Sequence, residues 1–457
     1  MENNNELSAF EKVRQWFSTS ITIKLLSIGF IILLLLIPLS FINDIVRERS
    51  YRKVEAVNEV SSKWGNAQCV QAIVLSVPYE YIEKKPLYSN EIANSQYIEV
   101  LQTSTMNFYP DETLISGEVI PQVKKRGIYE VPIYSVKLDI SGAFIKPDAK
   151  KDFPSRCTKV LWNEATASLF MNDLSSLEEQ VVLQFDTAEV EFNPMSSSGS
   201  KSTLSAPLDL SLMEDSKLNF KTEISVRGTQ ALWFSPLAKT TEVNLESSWK
   251  HPKFSGQYLP THQPKGEGFA ANWKVLHLNR SLAQSFEAES PDQGAERFSF
   301  GVELYTPVDN YQSTERSTKY AMLLITLSFA LFFFVQILMK IRIHPVQFML
   351  VGLSLCVFYT LLLALSEHIS FFRSYMIAAG AITLLNTYYV FSSFKNKPLT
   401  LLTFVVLAVL YAYIYSTLRM EDMALLAGSI GIFGALALVM FITRNFDWYS
   451  LKSKTTE

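Results

Sequence analysis

Four places in this 457-residue chain carry side chains that do chemistry in other settings. Ser247-Ser-Trp-Lys250 fits S-x-x-K, where a lysine amine takes the proton of a serine nucleophile. The residues around it alternate as a strand does, and positions three apart in a strand face opposite ways, so the pair does not meet. His251, His262 and His277 share the region, but no two have the spacing of a helix or hairpin ligand pair, and surface or core histidines are the plain alternative. Ser366-Glu367-His368 spells a triad in consecutive residues, yet consecutive helical side chains point about 100° apart and do not converge. A Gly-rich phosphate loop and H-E-x-x-H are both lacking. The sequence thus puts forward no catalytic residue, no metal ligand and no cofactor.

The fourth place is Asn386, the main polar residue inside an apolar run. An amide at membrane depth either bonds across helices or serves transport. Ion-coupled transport calls for intramembrane carboxylates, which these runs lack.

The elements that must hold these residues are of two kinds. Val346 to Leu365 contains no charged residue, and twenty helical residues span about 30 Å, the hydrocarbon thickness of a bilayer. Pro345 precedes it at a position where a helix start tolerates proline. Similar runs lie at 320–339, 375–394, 399–418 and 424–442, a five-helix bundle over 320–442. A further run at 21–43 ends in Pro-Leu-Ser-Phe-Ile-Asn, with no Ala-x-Ala-like cleavage site, and reads as an uncleaved transmembrane signal anchor. Val46, Val54, Val57 and Trp64 recur at helical spacing up to Gly65, giving a helical stalk over 44–65. Leu7, Phe10, Val13 and Phe17 make 1–20 an amphipathic segment on the membrane surface, with a disordered tail as the alternative.

The middle of the chain changes character. Fifteen of the eighteen prolines fall in residues 66–314, which is incompatible with long helices. Val136, Leu138 and Ile140 alternate with Lys137, Asp139 and Ser141, and Leu218, Phe220, Thr222, Ile224 and Val226 repeat the pattern. Phe298, Phe300, Val302 and Leu304, and Val243, Leu245 and Trp249, extend it. The spacing predicts a large all-β domain over 66–319, an antiparallel sandwich, with a flexible Ser-rich loop at 196–202. The fold class is therefore a polytopic α-helical membrane protein with a large extracytoplasmic β domain. Cys69, Cys157 and Cys356 have no metal-type spacing; Cys69 and Cys157 are the one pair that could bridge, and free thiols are the simpler reading.

Orientation follows from short-segment charge. If residues 1–24 are cytoplasmic, then that side holds Lys12, Arg14, Lys24, Lys340, Arg342, Lys395, Lys397, Arg444, Lys452 and Lys454, ten in all, against Arg373 and Arg419 opposite. Both termini, including the tail at 443–457, are expected in the cytoplasm, with Trp448 and Tyr449 as interfacial anchors and the β domain outside. Net charge of −3 gives no sign of a nucleic-acid partner; the lipid bilayer is the partner the composition names. On the outer rim Arg316, Lys319, Glu367, His368 and Arg373 gather charges of both signs, a candidate set for coupling the bundle to the domain.

Thr314-Glu-Arg-Ser-Thr-Lys-Tyr-Ala, His344-Pro-Val-Gln-Phe-Met-Leu-Val-Gly, Leu363-Ala-Leu-Ser-Glu-His368, Thr443-Arg-Asn-Phe-Asp-Trp-Tyr-Ser450, Arg47-Glu-Arg49 and Ser248-Trp-Lys-His-Pro-Lys-Phe254 resemble the CreD family. The resemblance implies a bacterial inner-membrane protein of cell-envelope integrity and stress response, associated with colicin tolerance and a two-component signalling system. It names a role without a mechanism, and one reading is a non-enzymatic protein whose periplasmic β domain binds a protein or envelope component. A membrane-embedded enzyme or a lipid- or solute-handling protein, with its site in the bundle, is the other reading.

Overall fold

The computed structural model describes residues 21–86, 97–195, 202–213, 215–287, 295–306, 310–338, 341, 343–420 and 423–444. The segment expected at 1–20, nearly all of the Ser-rich loop and the Trp448 and Tyr449 anchors lie outside them. The chain forms two compact units, one of residues 1–53 with 308–457 and one of residues 54–307.

The apolar runs are helices: α1 (Ile21–Trp64), α2 (Asn310–Lys319), α3 (Ala321–Leu338), α4 (Pro345–Ser366), α5 (Phe371–Phe394), α6 (Lys397–Arg419) and α7 (Ala424–Thr443). Of these, α1, α4, α5 and α6 are each long and apolar enough to cross a bilayer, and α2 with α3, bent by 42°, make a fifth span if taken together. The sequence of α7 is also free of charge. Helix starts are built as proline spacing requires. Pro345 opens α4 after His344, whose Nδ1 accepts from the Val346 N–H at 3.3 Å, while the Gln347 side chain accepts from the His344 N–H at 3.0 Å. Asn396 caps α6 by accepting from the Leu399 N–H at 3.2 Å.

Pro38 removes one backbone bond from α1 without ending it, and no break separates the expected anchor from the expected stalk. Ile31, Leu35, Leu39 and Ile42 form one buried stripe that clusters with Leu324, Phe329, Leu355 and Phe358 of the helical unit. The helix ends at Gly65, whose φ of +134° suits glycine and whose N–H donates to the Ser61 carbonyl at 2.8 Å.

The β unit contains sheets of eight, seven and four strands. In Lys217–Thr229 the alternating residues Leu218, Phe220, Thr222, Ile224 and Val226 are buried while Lys217, Asn219, Lys221 and Glu223 are exposed. It pairs antiparallel with Tyr129–Ile145, whose Val136, Leu138 and Ile140 enter the same core. Two pairings are parallel: Gln68–Gln71 with Ala231–Ser235, and residues 112–119 with Thr240–Ser247. The sheets are thus antiparallel-rich and not purely so. Two apparent strand positions lie outside strands. Phe298 ends a one-turn 3-10 helix closed by Ser299 N–H to the Glu296 carbonyl, and Trp249 follows the end of Thr240–Ser247 with its indole N–H on the Tyr305 carbonyl at 3.0 Å.

The last turns of α1 belong to the β unit. Val57, Val60 and Trp64 pack on Val131 and Ile133, and the Ser61 and Thr229 hydroxyls are 2.8 Å apart. The Trp64 indole donates to the Tyr134 carbonyl at 3.3 Å and lies between Lys124, 4.4 Å from its centroid, and Arg227, at 5.0 Å.

Candidate functional sites

The residues that spell catalytic patterns are held apart. The Ser247 hydroxyl accepts from the Trp249 N–H at 3.2 Å, and Lys250 pairs with Glu267 at 2.8 Å. His262 packs against Phe254 with the rings tilted by 44° and centroids 5.0 Å apart. Among the described residues no group of His, Cys, Asp and Glu could hold a metal ion, and none of Cys69, Cys157 and Cys356 is disulfide-bonded.

In the helical unit, Glu367 caps α4 and takes two partners that the sequence did not put forward. Arg49 Nε lies 3.6 Å from its Oε1, and the Tyr311 hydroxyl donates to it at 3.4 Å. Arg49 follows Ile42 and Val46 at steps of four and three, so it continues the buried stripe of α1, a signal legible in the sequence. Of the other expected rim residues, Arg316 is half-buried on α2, Lys319 pairs with Glu315 one turn before it at 3.5 Å, and His368 and Arg373 are exposed.

Deeper in this unit Asn386 is buried, with both its amide oxygen and its amide nitrogen hydrogen-bonded. Its Oδ1 accepts from Ser354 of α4 at 2.9 Å and its Nδ2 donates to the Ile382 carbonyl at 3.0 Å. The Tyr375 hydroxyl donates to the Tyr411 carbonyl at 2.8 Å, joining α5 to α6. Phe358 packs against Tyr359, Tyr375 and Tyr411 with centroids 4.8, 5.3 and 4.7 Å away. The hydroxyls of Tyr359, Tyr411 and Ser328 are buried with no protein partner.

The β unit has a polar centre of another kind. Three crossovers meet there: 109–111 from the seven- to the eight-stranded sheet, 236–239 from the four- to the eight-stranded sheet, and 277–284 back to the seven-stranded one. Backbone bonds stitch them together, from Lys239 N–H to the Pro110 carbonyl at 3.0 Å, His277 N–H to the Lys239 carbonyl at 2.7 Å, and Tyr109 N–H to the Gln284 carbonyl at 2.9 Å. Arg280 is buried at this junction and donates through Nη2 to the carbonyls of Leu237 and Ala238. No single residue type announces such a site, because its parts come from three distant segments.

Bilayer-length apolar helices with capped ends, together with an antiparallel-rich β unit inserted between the first and the rest, define a polytopic helical membrane protein with a large β domain. Residues 20–449 match the family described as inner membrane protein CreD, and the chain belongs to that family. It is 29% identical over 432 residues to inner membrane protein CreD of Escherichia coli (strain K12), covering 93% of each chain. Among solved structures, native yeast LTA4 hydrolase aligns at 11% identity over 48% of this chain and 35% of that one, with a TM-score of 0.19, a likeness that carries no argument.

Proposed function

We propose that this protein supports cell-envelope integrity and stress response as a non-enzymatic membrane protein whose β domain, on the periplasmic side, binds a protein or another envelope component. The observation that supports binding is the hairpin of Val74–Pro86 and Tyr97–Phe108. Beyond the core, Ile82 stands opposite Leu101 on one face, followed along the hairpin by the Lys84–Glu99 ion pair and then by Tyr97 on the same face. Ile82, Leu101 and Tyr97 are 46%, 61% and 60% exposed, so the hairpin offers exposed apolar side chains on either side of an ion pair. A photo-crosslinking residue at Leu101 in living cells is expected to capture an envelope partner that the same residue at exposed Lys221 does not. Equal capture at both positions would remove the hairpin from the reading.

The proposed orientation puts both termini in the cytoplasm and rests on the short-segment charge bias. Reporter fusions after Lys395 and after Glu457 are expected to register as cytoplasmic, and an external C-terminus would overturn it. The second reading, a lipid- or solute-handling site in the helical unit, has one observation in its favour: the unpartnered hydroxyls of Tyr359, Tyr411 and Ser328.

A further inference from the structure

Arg280 is 6% exposed, yet its Nε and Nη1 have no protein partner. Gln284, one segment with it, has both its amide oxygen and its amide nitrogen buried without partners. Exchanging the O and N of that amide changes nothing, since either assignment leaves one donor and one acceptor unused. The aromatic walls are Tyr109, whose ring centroid lies 5.8 Å from the guanidinium carbon, and Tyr258, whose hydroxyl donates to the Asn279 carbonyl at 3.0 Å.

These groups are an unusual combination for a structural pin. A guanidinium that only tied the crossovers together would need Nη2 and nothing more. Burial works against its charge, lowering its pKa, while the two tyrosines oppose that shift. The nearby Asp111 carboxylate is paired with Lys239. A buried cation is stabilised by an anion that accepts from its free N–H groups. Gln284 adds a further donor and, separately, an acceptor that requires an N–H or O–H from the same guest.

We propose that the Arg280–Gln284 junction is a binding site for a small carboxylate that carries a neighbouring amide N–H, the chemistry of a peptide C-terminus. The carboxylate would accept from Arg280 Nη1 and from the Gln284 amide, and the adjoining N–H would donate to the Gln284 oxygen. Entry falls to the 277–284 segment, which holds only a one-turn helix and leaves Leu278 80% exposed. The proposal stands apart from the hairpin reading, since the two surfaces share no residue.

The test uses the intact protein in detergent, with thermal unfolding followed against an N-acetyl dipeptide free acid, the same dipeptide as its C-terminal amide, and inorganic phosphate. The free acid is expected to raise the unfolding temperature in a saturable way, and the amide and phosphate are not. Gln284→Leu touches only the unpartnered amide, so it is expected to fold as the parent does while losing about tenfold in affinity for the free acid, about 1.4 kcal/mol. Arg280→Lys is expected to lose the response as well. An equal response to acid and amide, a response to phosphate as large as to the acid, or an unchanged response in a folded Gln284→Leu protein would each overturn the assignment.

Discussion

Arg49 on α1 meets Glu367 at the end of α4, Nε to Oε1, at 3.6 Å. The carboxylate side chain is 12% exposed and the guanidinium 39%, so the pair is screened less than a surface pair and still costs little to desolvate. A double-mutant cycle of Arg49→Ala and Glu367→Ala on thermal stability in detergent is expected to show a coupling of about 0.5–1 kcal/mol. Running Arg316→Ala against Glu367→Ala in parallel tests whether two members of the rim set, Arg316 and Glu367, also couple. Strict additivity in both cycles would leave Glu367 uncoupled to either arginine.

Gly65 ends α1 where no other residue fits. Its φ is +134°, and a Cβ there would lie 2.8 Å from the Arg227 carbonyl oxygen and 2.8 Å from the Ser176 Cβ. Gly65→Ala is expected to destabilise the β unit by about 2–4 kcal/mol, combining backbone strain with overpacking. At about 2–4 °C per kcal/mol for a unit of this size, calorimetry would resolve the change easily. A shift under about 2 °C would mean that the helix end relaxes.

Glu287 gives the β unit a defined acid response. Burial alone would raise its carboxyl, but the hydrogen bonds from Ser104 at 2.7 Å and Tyr79 at 2.8 Å, together with Arg156, outweigh that and hold it below the ordinary glutamate range. A folded value below the unfolded one, about 4.3, means that the stabilisation is complete above that pH and disappears as pH falls through the folded value. Unfolding temperature is therefore expected to drop more steeply between about pH 5 and about pH 3 in the parent than in Glu287→Gln. Parallel curves would show that the carboxylate is not held.

The helical unit contains a paired and an unpaired polar group that make opposite expectations. Asn386→Leu removes the link to Ser354 and is expected to cost about 0.6–2 kcal/mol. Tyr359→Phe removes a hydroxyl with no protein partner and is expected to be neutral or slightly stabilising. A loss above about 1 kcal/mol for Tyr359→Phe would show that the hydroxyl is engaged by a guest and would favour the solute-handling reading.

Legibility in the sequence followed the range of the interactions. Bilayer-length runs, the caps around Pro345 and Pro398, and the alternation in Lys217–Thr229 are local patterns, and they appear as helices and strands. Phe298 and Trp249 show the limit of period two, because an apolar residue one or two places beyond a strand continues the pattern without joining the ladder. The two parallel pairings join segments far apart in the chain and leave no local trace. Arg49 was readable from the stripe it shares with Ile42 and Val46. Arg280 was not, since its neighbours come from three separate crossovers.

The four-stranded sheet takes Gln68–Gln71 from the start of the β unit and Phe300–Leu304 from its end, with Ala231–Ser235 between them in space. Its first strand therefore has no partner until most of the unit has been synthesised, and the sheet cannot close until nearly all of it has. Contacts of such long sequence separation fold slowly, because loop closure precedes any gain from pairing. The growing chain thus spends the making of this unit with an unpaired edge near its entrance, which makes biogenesis its most vulnerable moment and a chaperone or a fast-forming early hairpin an advantage.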